Sequence, residues 1–229
     1  MYEVELVNIS HSYGNHAALR DISVGFQKEK TTVILGRSGS GKSTLLKTIN
    51  GLIKPRSGKV IAPDRKQIGY VVQGNGLFPH LTVSKNISMP ATIAGEKDRS
   101  KISARTNELL QLTGLPHTYI DKYPSELSGG EQQRVALCRA LYSNPPVLLM
   151  DEPFGALDPI TRRGINEKIM ELRKMSGITM IIVTHDVAEA KRLADDLLVL
   201  DNGIVQQFDN KEKVFQTPAN KVVAELLLI

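Results

Sequence analysis

The sequence predicts an α/β fold built on a mainly parallel sheet. Short runs rich in Val, Ile and Leu recur along the chain, each too short for a helix and each followed by a segment of helical period. Such runs read as strands buried on both faces. Strand alternating with helix implies parallel order, with a ligand crevice at the carboxyl ends of the strands. A glycine-rich stretch, Gly36 to Gly41, falls at one of these strand-to-helix joints.

In chain order, Val4 to about Phe26 is strand-like with polar interruptions and Gly14, which predicts a small antiparallel layer ahead of the main sheet. Thr31 to Leu35 is a buried strand, and the helical pattern Lys42 to Asn50 follows until Gly51 stops it. Ile68 to Val72 reads as another strand. Between about Leu77 and Pro145 no strong strand appears, whereas Ile102 to Leu112 and Glu131 to Leu141 have helical period. A helical subdomain inserted at about 77–145 into a single domain, 1–229, is therefore expected. Val147 to Met150 and Ile178 to Val183 resume the strands. A helix near Ile165, Ile169 and Leu172, ended by Gly177, lies between them, and Val187 to Ala194 is helical after them. Leu198 to Leu200, Asp201-Asn202-Gly203 and Ile204-Val205 form a hairpin signal, and Asn220 to Ile229 reads as a terminal helix packed on the body.

With 229 residues, 41% hydrophobic and 23% charged, the chain can bury a substantial core. Its 29 Lys and Arg against 24 Asp and Glu leave a net charge of +5, a modest excess that fits a solvated surface and is small for a phosphate-backbone binder. The single cysteine, Cys138, excludes an intrachain disulfide and a Cys-based metal cluster, and reads as a small core residue. Met1 to Glu5 lacks the pattern of a secretory signal and no apolar run is long enough to span a bilayer. The expectation is a cytoplasmic protein unless a membrane partner holds it.

Gly36-Arg37-Ser38-Gly39-Ser40-Gly41-Lys42-Ser43-Thr44 matches the G-x-x-x-x-G-K-[ST] pattern and lies between an apolar strand and a helix, the setting the pattern requires. Glycines let backbone N–H groups turn toward one point, and the helix adds its positive end, so a polyphosphate can bind there. Lys42 is suited to bridge the β- and γ-phosphates, and Ser43 to offer its hydroxyl to Mg²⁺. Val147 to Glu152 delivers two carboxylates to the end of a buried strand, near the phosphate loop if the strands are neighbours. Asp151 suits the Mg²⁺ shell and Glu152 suits orienting and deprotonating a water. Together these predict a P-loop nucleoside triphosphatase using Mg²⁺.

Leu127-Ser128-Gly129-Gly130-Glu131-Gln132-Gln133-Arg134 precedes the carboxylate strand. Ser128-x-x-Glu131 reads as a capping box that opens the following helix, while capping does not need the two glycines; a phosphate approaching the backbone closely would explain them. The segment resembles the LSGGQ signature of the ABC ATPase family, with Glu131 in place of Gln. The resemblance runs over essentially the whole chain. It implies the ABC ATPase fold, with Tyr13 stacked on adenine and Gln73 touching the metal and the attacking water. It also implies that Asp158 of Ala156-Leu157-Asp158 communicates across a dimer and that His185 contacts the γ-phosphate. In that family two ATP molecules are sandwiched in a head-to-tail homodimer, so Ser128, Gly129 and Gly130 of one copy would cover nucleotide held by the other.

Gly76-Leu77-Phe78-Pro79-His80-Leu81-Thr82-Val83 resembles the importer subfamilies, which implies separate membrane permease subunits, a solute-binding protein and a place on the inner face of the cell membrane. Ile68 to Gln73, Gly76 to His80 and Met150 to Arg162 look like ATPases of osmoprotectant uptake, for glycine betaine, choline or proline. Polar amino acid and oxyanion importers share much of this pattern. An ABC ATPase acting on nucleic acid or ribosomes is the rival of another class, and the coiled-coil insertions, zinc modules or tandem cassettes common there are not visible. A P-loop kinase would leave Ser128 to Gly130 without a task.

Overall fold

The computed structural model describes residues 1–228; Ile229, the last residue of the expected terminal stretch, lies outside the described residues. The chain opens with β1 (Tyr2–Tyr13) and β2 (His16–Gln27), an antiparallel hairpin. Its polar interruptions are irregularities in the strands: Asn8 and Asp21 have φ of 52° and 48°, and the pairing register shifts between Leu6 and Ile9. Then come β3 (Thr31–Leu35), α1 (Lys42–Ile49), β4 (Ser57–Ile61) and β5 (Ile68–Val71). β4 joins β1 to complete a three-stranded sheet in the order β2-β1-β4.

Four helices follow without an intervening strand: α2 (Val83–Ile87), α3 (Met89–Ala94), α4 (Arg99–Thr113) and α5 (Gly129–Leu141). Asp98 caps α4 by accepting from two backbone N–H groups, and Gly114 closes it in the left-handed region. The chain returns through β6 (Val147–Asp151), α6 (Pro159–Ser176), β7 (Thr179–Val183), α7 (Val187–Leu193), β8 (Asp196–Asp201) and β9 (Ile204–Asn210). It finishes with α8 (Lys211–Gln216) and α9 (Lys221–Leu227), whose Val223 and Leu227 are buried. The β8–β9 hairpin turns on Asn202 and Gly203, both with positive φ, as a two-residue type I′ turn demands.

The main sheet has six strands in the order β5-β6-β7-β3-β8-β9, parallel except for β9. Its two faces feed two separate cores. Val33, Leu35, Leu148, Met150, Met180 and Ile182 point into the helix-covered side, while Ile34, Val147, Leu149, Ile181 and Val183 point toward α1 and the antiparallel layer. Full burial of each such side chain contributes about 1.5–3 kcal/mol. That two-sided demand is why these strands read as unbroken apolar runs. Cys138 is a core residue on the helical side, and burial raises its thiol to about 12.

The order places the loops after β3, β5, β6 and β7 together at the carboxyl edge. β6 is not β3's neighbour, since β7 lies between them. The phosphate loop and the carboxylates still meet, because α1 leaves β3 and packs against β6, carrying Ser43 across the gap.

Candidate functional site

A cleft of about 330 Å³ opens at this edge, lined by Tyr13, the loop from Ser38 to Thr44, Gln73 and Glu152. The phosphate loop has no regular structure of its own and is held by its surroundings. Gly41 sits at φ 103°, and a Cβ there would lie 2.4 Å from the Ala18 carbonyl oxygen. A Cβ on Gly36 would lie 2.2 Å from the Leu200 carbonyl oxygen. No other residue fits either place. The turn of the β8–β9 hairpin braces the loop from behind, with the Gly203 N–H donating to the Ser40 carbonyl at 3.0 Å.

Lys42, only 6% exposed, folds back over the loop and donates to the carbonyls of Gly36 (2.8 Å) and Arg37 (2.9 Å). Burial pushes its ammonium pKa below the ordinary lysine range, while Glu152 and Asp151 pull the other way. A desolvated cation with only neutral partners suits an incoming polyanion. The Arg37 side chain points away from the cleft and pairs with Glu225 of α9 at 3.2 Å.

At the end of β6, Asp151 is 1% exposed and its Oδ1 accepts from the Ser43 hydroxyl at 3.1 Å. Its Oδ2 is buried without a hydrogen-bond partner. Burial raises its pKa; the Ser43 bond and the lysines Lys47 and Lys42 oppose this, while Glu152 adds to it. A buried carboxylate oxygen left unpaired beside a serine hydroxyl is a donor set for a small hard cation. Among the described residues no group of three or more His, Cys, Asp or Glu could hold a metal ion, so a cation here needs ligand oxygens or water to complete its shell.

Glu152 is a non-glycine residue at φ 50°, tied by its N–H to the Val183 carbonyl at 3.0 Å. The strained turn aims its carboxylate into the cleft. Gln73 Nε2 donates to Oε2 at 3.4 Å, and His185 Nδ1 lies 3.4 Å from Oε1. Gln73 comes from the end of β5 and His185 from the end of β7, so three strands converge on one carboxylate. Tyr13 is half exposed at the mouth, its ring edge-on to His11 at 4.9 Å.

Ser128, Gly129 and Gly130 are not in this cleft. They open α5 elsewhere on the surface, with the expected capping box in place. Gly130 also has a reason within the chain: a Cβ would lie 3.0 Å from Leu157 Cδ2 and 3.2 Å from the Ala156 carbonyl oxygen. Asp158 caps α6 by accepting from the N–H groups of Ile160 and Thr161.

Four contributors escaped the reading of the sequence. His16 and Ala18, from the strand paired with β1, form the wall beside Tyr13. Gln133, 8% exposed on α5, donates to the Glu152 carbonyl at 3.1 Å and accepts from the Ala156 N–H at 3.2 Å, bracing the turn that carries Glu152. Its place two residues after Glu131 was the only signal. Arg162 likewise ties the Leu157 carbonyl (3.0 Å) to Asp186 and Glu189 (3.4 Å each), linking the loops of Asp158 and His185.

A phosphate loop facing a strand-borne Asp-Glu pair, inside a parallel sheet with an antiparallel layer and a helical insertion, defines an ATPase cassette. The chain belongs to the ABC transporter family, whose model matches residues 19–155. It is 40% identical to the glycine betaine uptake system ATP-binding protein YehX of Escherichia coli (strain K12), over 97% of this chain and 75% of that protein. It is also 40% identical to the choline transport ATP-binding protein OpuBA of Bacillus subtilis (strain 168), over 97% of this chain and 61% of that one. Thus the chain spans three quarters of the first relative and less than two thirds of the second. Among solved structures, the dimeric ATP-binding cassette MJ0796, in a post-hydrolysis state with ADP and Pi, superposes with a TM-score of 0.86 at 33% identity, over 90% of this chain and 98% of that one. No helix among the described residues is long and apolar enough to cross a membrane.

Proposed function

We propose that this chain is the ATP-binding subunit of an importer of osmoprotectant quaternary amines, working as a head-to-tail homodimer beneath separate permease subunits served by a solute-binding protein. The observation that carries the reading is the division of the site. One edge of the sheet gathers Lys42, Ser43, Asp151, Gln73, Glu152 and His185 around a cleft. Ser128 to Gly130 present a capped helix start elsewhere, suited to a second copy's triphosphate.

In this reading Tyr13 stacks on adenine, and Lys42 with the amides of Gly36 to Thr44 holds the phosphates. Ser43, Asp151 and Gln73 would hold Mg²⁺, which would supply positive charge against the phosphate oxygens. Glu152, steadied by Gln73, orients the attacking water and takes its proton, and His185 contacts the γ-phosphate. The Asp158 loop reports on the partner copy, with Arg162 carrying the signal to the His185 loop. The helices of 77–145, hinged at Gln73, pass closure to the membrane subunits. A peripheral position on the inner face of the membrane follows.

The test is reconstitution with a candidate permease of the osmoprotectant uptake type. ATPase activity should rise with the permease, rise again with binding protein and a quaternary amine, and ignore DNA and RNA. Stimulation by nucleic acid without the permease would overturn the importer reading.

A further inference from the structure

The signature of this chain departs from LSGGQ at Glu131, and the surroundings of that carboxylate are specific. Its Oε2 accepts from the Ser128 backbone N–H at 2.7 Å and from the Ser128 hydroxyl at 2.9 Å. Its Oε1 accepts from the Tyr119 hydroxyl at 3.0 Å. In return the Glu131 N–H donates to Ser128 Oγ at 3.3 Å. The Ser128 backbone bond is the largest influence holding the Glu131 carboxyl below its usual range, with further bonds from the Ser128 and Tyr119 hydroxyls, so the group is an anion at neutral pH.

A serine hydroxyl has one proton to give. Here it goes to Glu131, whereas a hydroxyl that grips a phosphate must donate to the phosphate oxygen. A triphosphate arriving at this helix start therefore meets a spent donor and a like charge. Glutamine would keep the cap, since its carbonyl oxygen can still accept the Ser128 N–H; that oxygen can accept the hydroxyl as well, but as a neutral acceptor it holds it more weakly and brings no like charge. The capping role alone is indifferent between the two residues.

We propose that Glu131 is a positioning residue that withholds the Ser128 hydroxyl from the partner's triphosphate and so raises the ATP concentration at which two copies close. The inference rests on the sandwich reading above. Its consequence is a built-in brake: closure requires the Ser128 hydroxyl to turn its hydrogen bond from Glu131 to the ligand, a reorientation that a permease could assist by shifting the helical region through Tyr119.

The experiment uses Glu152→Gln protein, which keeps ATP without turning it over, with and without Glu131→Gln. Association is followed by sedimentation against ATP concentration, and Tm is recorded for each protein. Glu131→Gln should lower the ATP concentration for half-association by about three- to tenfold, as loss of one nearby like charge and exchange of a charged acceptor for a neutral one imply. Its Tm should stay within a degree or two, while Glu131→Ala, which loses the cap, should melt earlier. An unchanged or higher ATP requirement in Glu131→Gln, in a protein that still dimerises, would overturn the brake and leave the sandwich intact. If no variant associates on ATP at all, the sandwich reading falls and this inference with it.

Discussion

Gln133→Leu isolates the brace behind Glu152. The substitution keeps the volume of a side chain that is 8% exposed but removes both its hydrogen bonds, leaving the Glu152 carbonyl and the Ala156 N–H without these partners. Each stranded group costs about 1–3 kcal/mol. With solvent able to reach part of the turn, a loss of about 2–4 kcal/mol is expected, or roughly 5–10 °C in Tm for a chain of this size. Glu152 at φ 50° stores strain on the order of 1–2 kcal/mol, which the brace opposes. Without it the turn relaxes and the carboxylate shifts. Misplacement of a reacting group by about 1 Å is worth on the order of 100-fold in rate. Steady-state ATPase assays should therefore show kcat down by roughly 10- to 100-fold, with ATP affinity changed by less than about threefold, because the phosphate loop hangs on β3 and α1. Gln133→Glu keeps the acceptor for Ala156 and should fall between. A kcat within about twofold of wild type, despite the lower Tm, would refute the bracing role.

Three further outcomes follow from the same geometry. Glu152→Gln should lower kcat by about 10²- to 10⁴-fold while retaining ATP, since the shape and the Gln73 contact survive and the base does not; rapid turnover would remove Glu152 from that role. Lys42→Ala should raise the ATP dissociation constant by roughly 10- to 100-fold in calorimetry, the worth of charged hydrogen bonds of about 1.5–3 kcal/mol; equal affinity would count against the placement of the triphosphate. Asp151→Asn should abolish Mg²⁺-dependent hydrolysis yet raise Tm at neutral pH without nucleotide. Burial raises the folded-state pKa of Asp151 above its unfolded value, so ionisation costs stability above the unfolded pKa and fully so above the folded one. The Tm gain should accordingly shrink toward about pH 4, below which the aspartate is neutral in both states; a gain that persists there would mean that charge is not its cause.

Much of this fold could be read from the chain because its strands are buried on both sides. Ile34 feeds one core and Val33 and Leu35 the other, leaving no polar alternation to blur the run. The turn of Gly36 to Gly41 was equally legible, since Gly36 and Gly41 stand where a Cβ would run into a backbone carbonyl oxygen. By contrast, β4 was missed because Ser57 to Ile61 is largely exposed and pairs on one side only. α2 and α3, at five and six residues, are too short to show a period.

The site's supports were hidden for a different reason. Nothing in the type of Glu152 announces φ 50°, and nothing in Gln133 announces two contacts some twenty residues away. The separation of β3 from β6 by β7 is likewise topological, so the meeting of Ser43 and Asp151 depended on α1 crossing the gap. Sequence patterns name the groups that line the cleft; the struts that aim them, such as Gln133, Arg162 and the Gly203–Ser40 clip, become visible only when the elements pack.

The most direct measurement is a structure of the Glu152→Gln protein with ATP and Mg²⁺. It should show two copies around two nucleotides, with Ser128 Oγ and the Gly130 N–H of one copy bonded to the γ-phosphate that Lys42 of the other holds. A nucleotide fully enclosed by a single copy, with Ser128 and Gly130 of every neighbour out of reach, would contradict it.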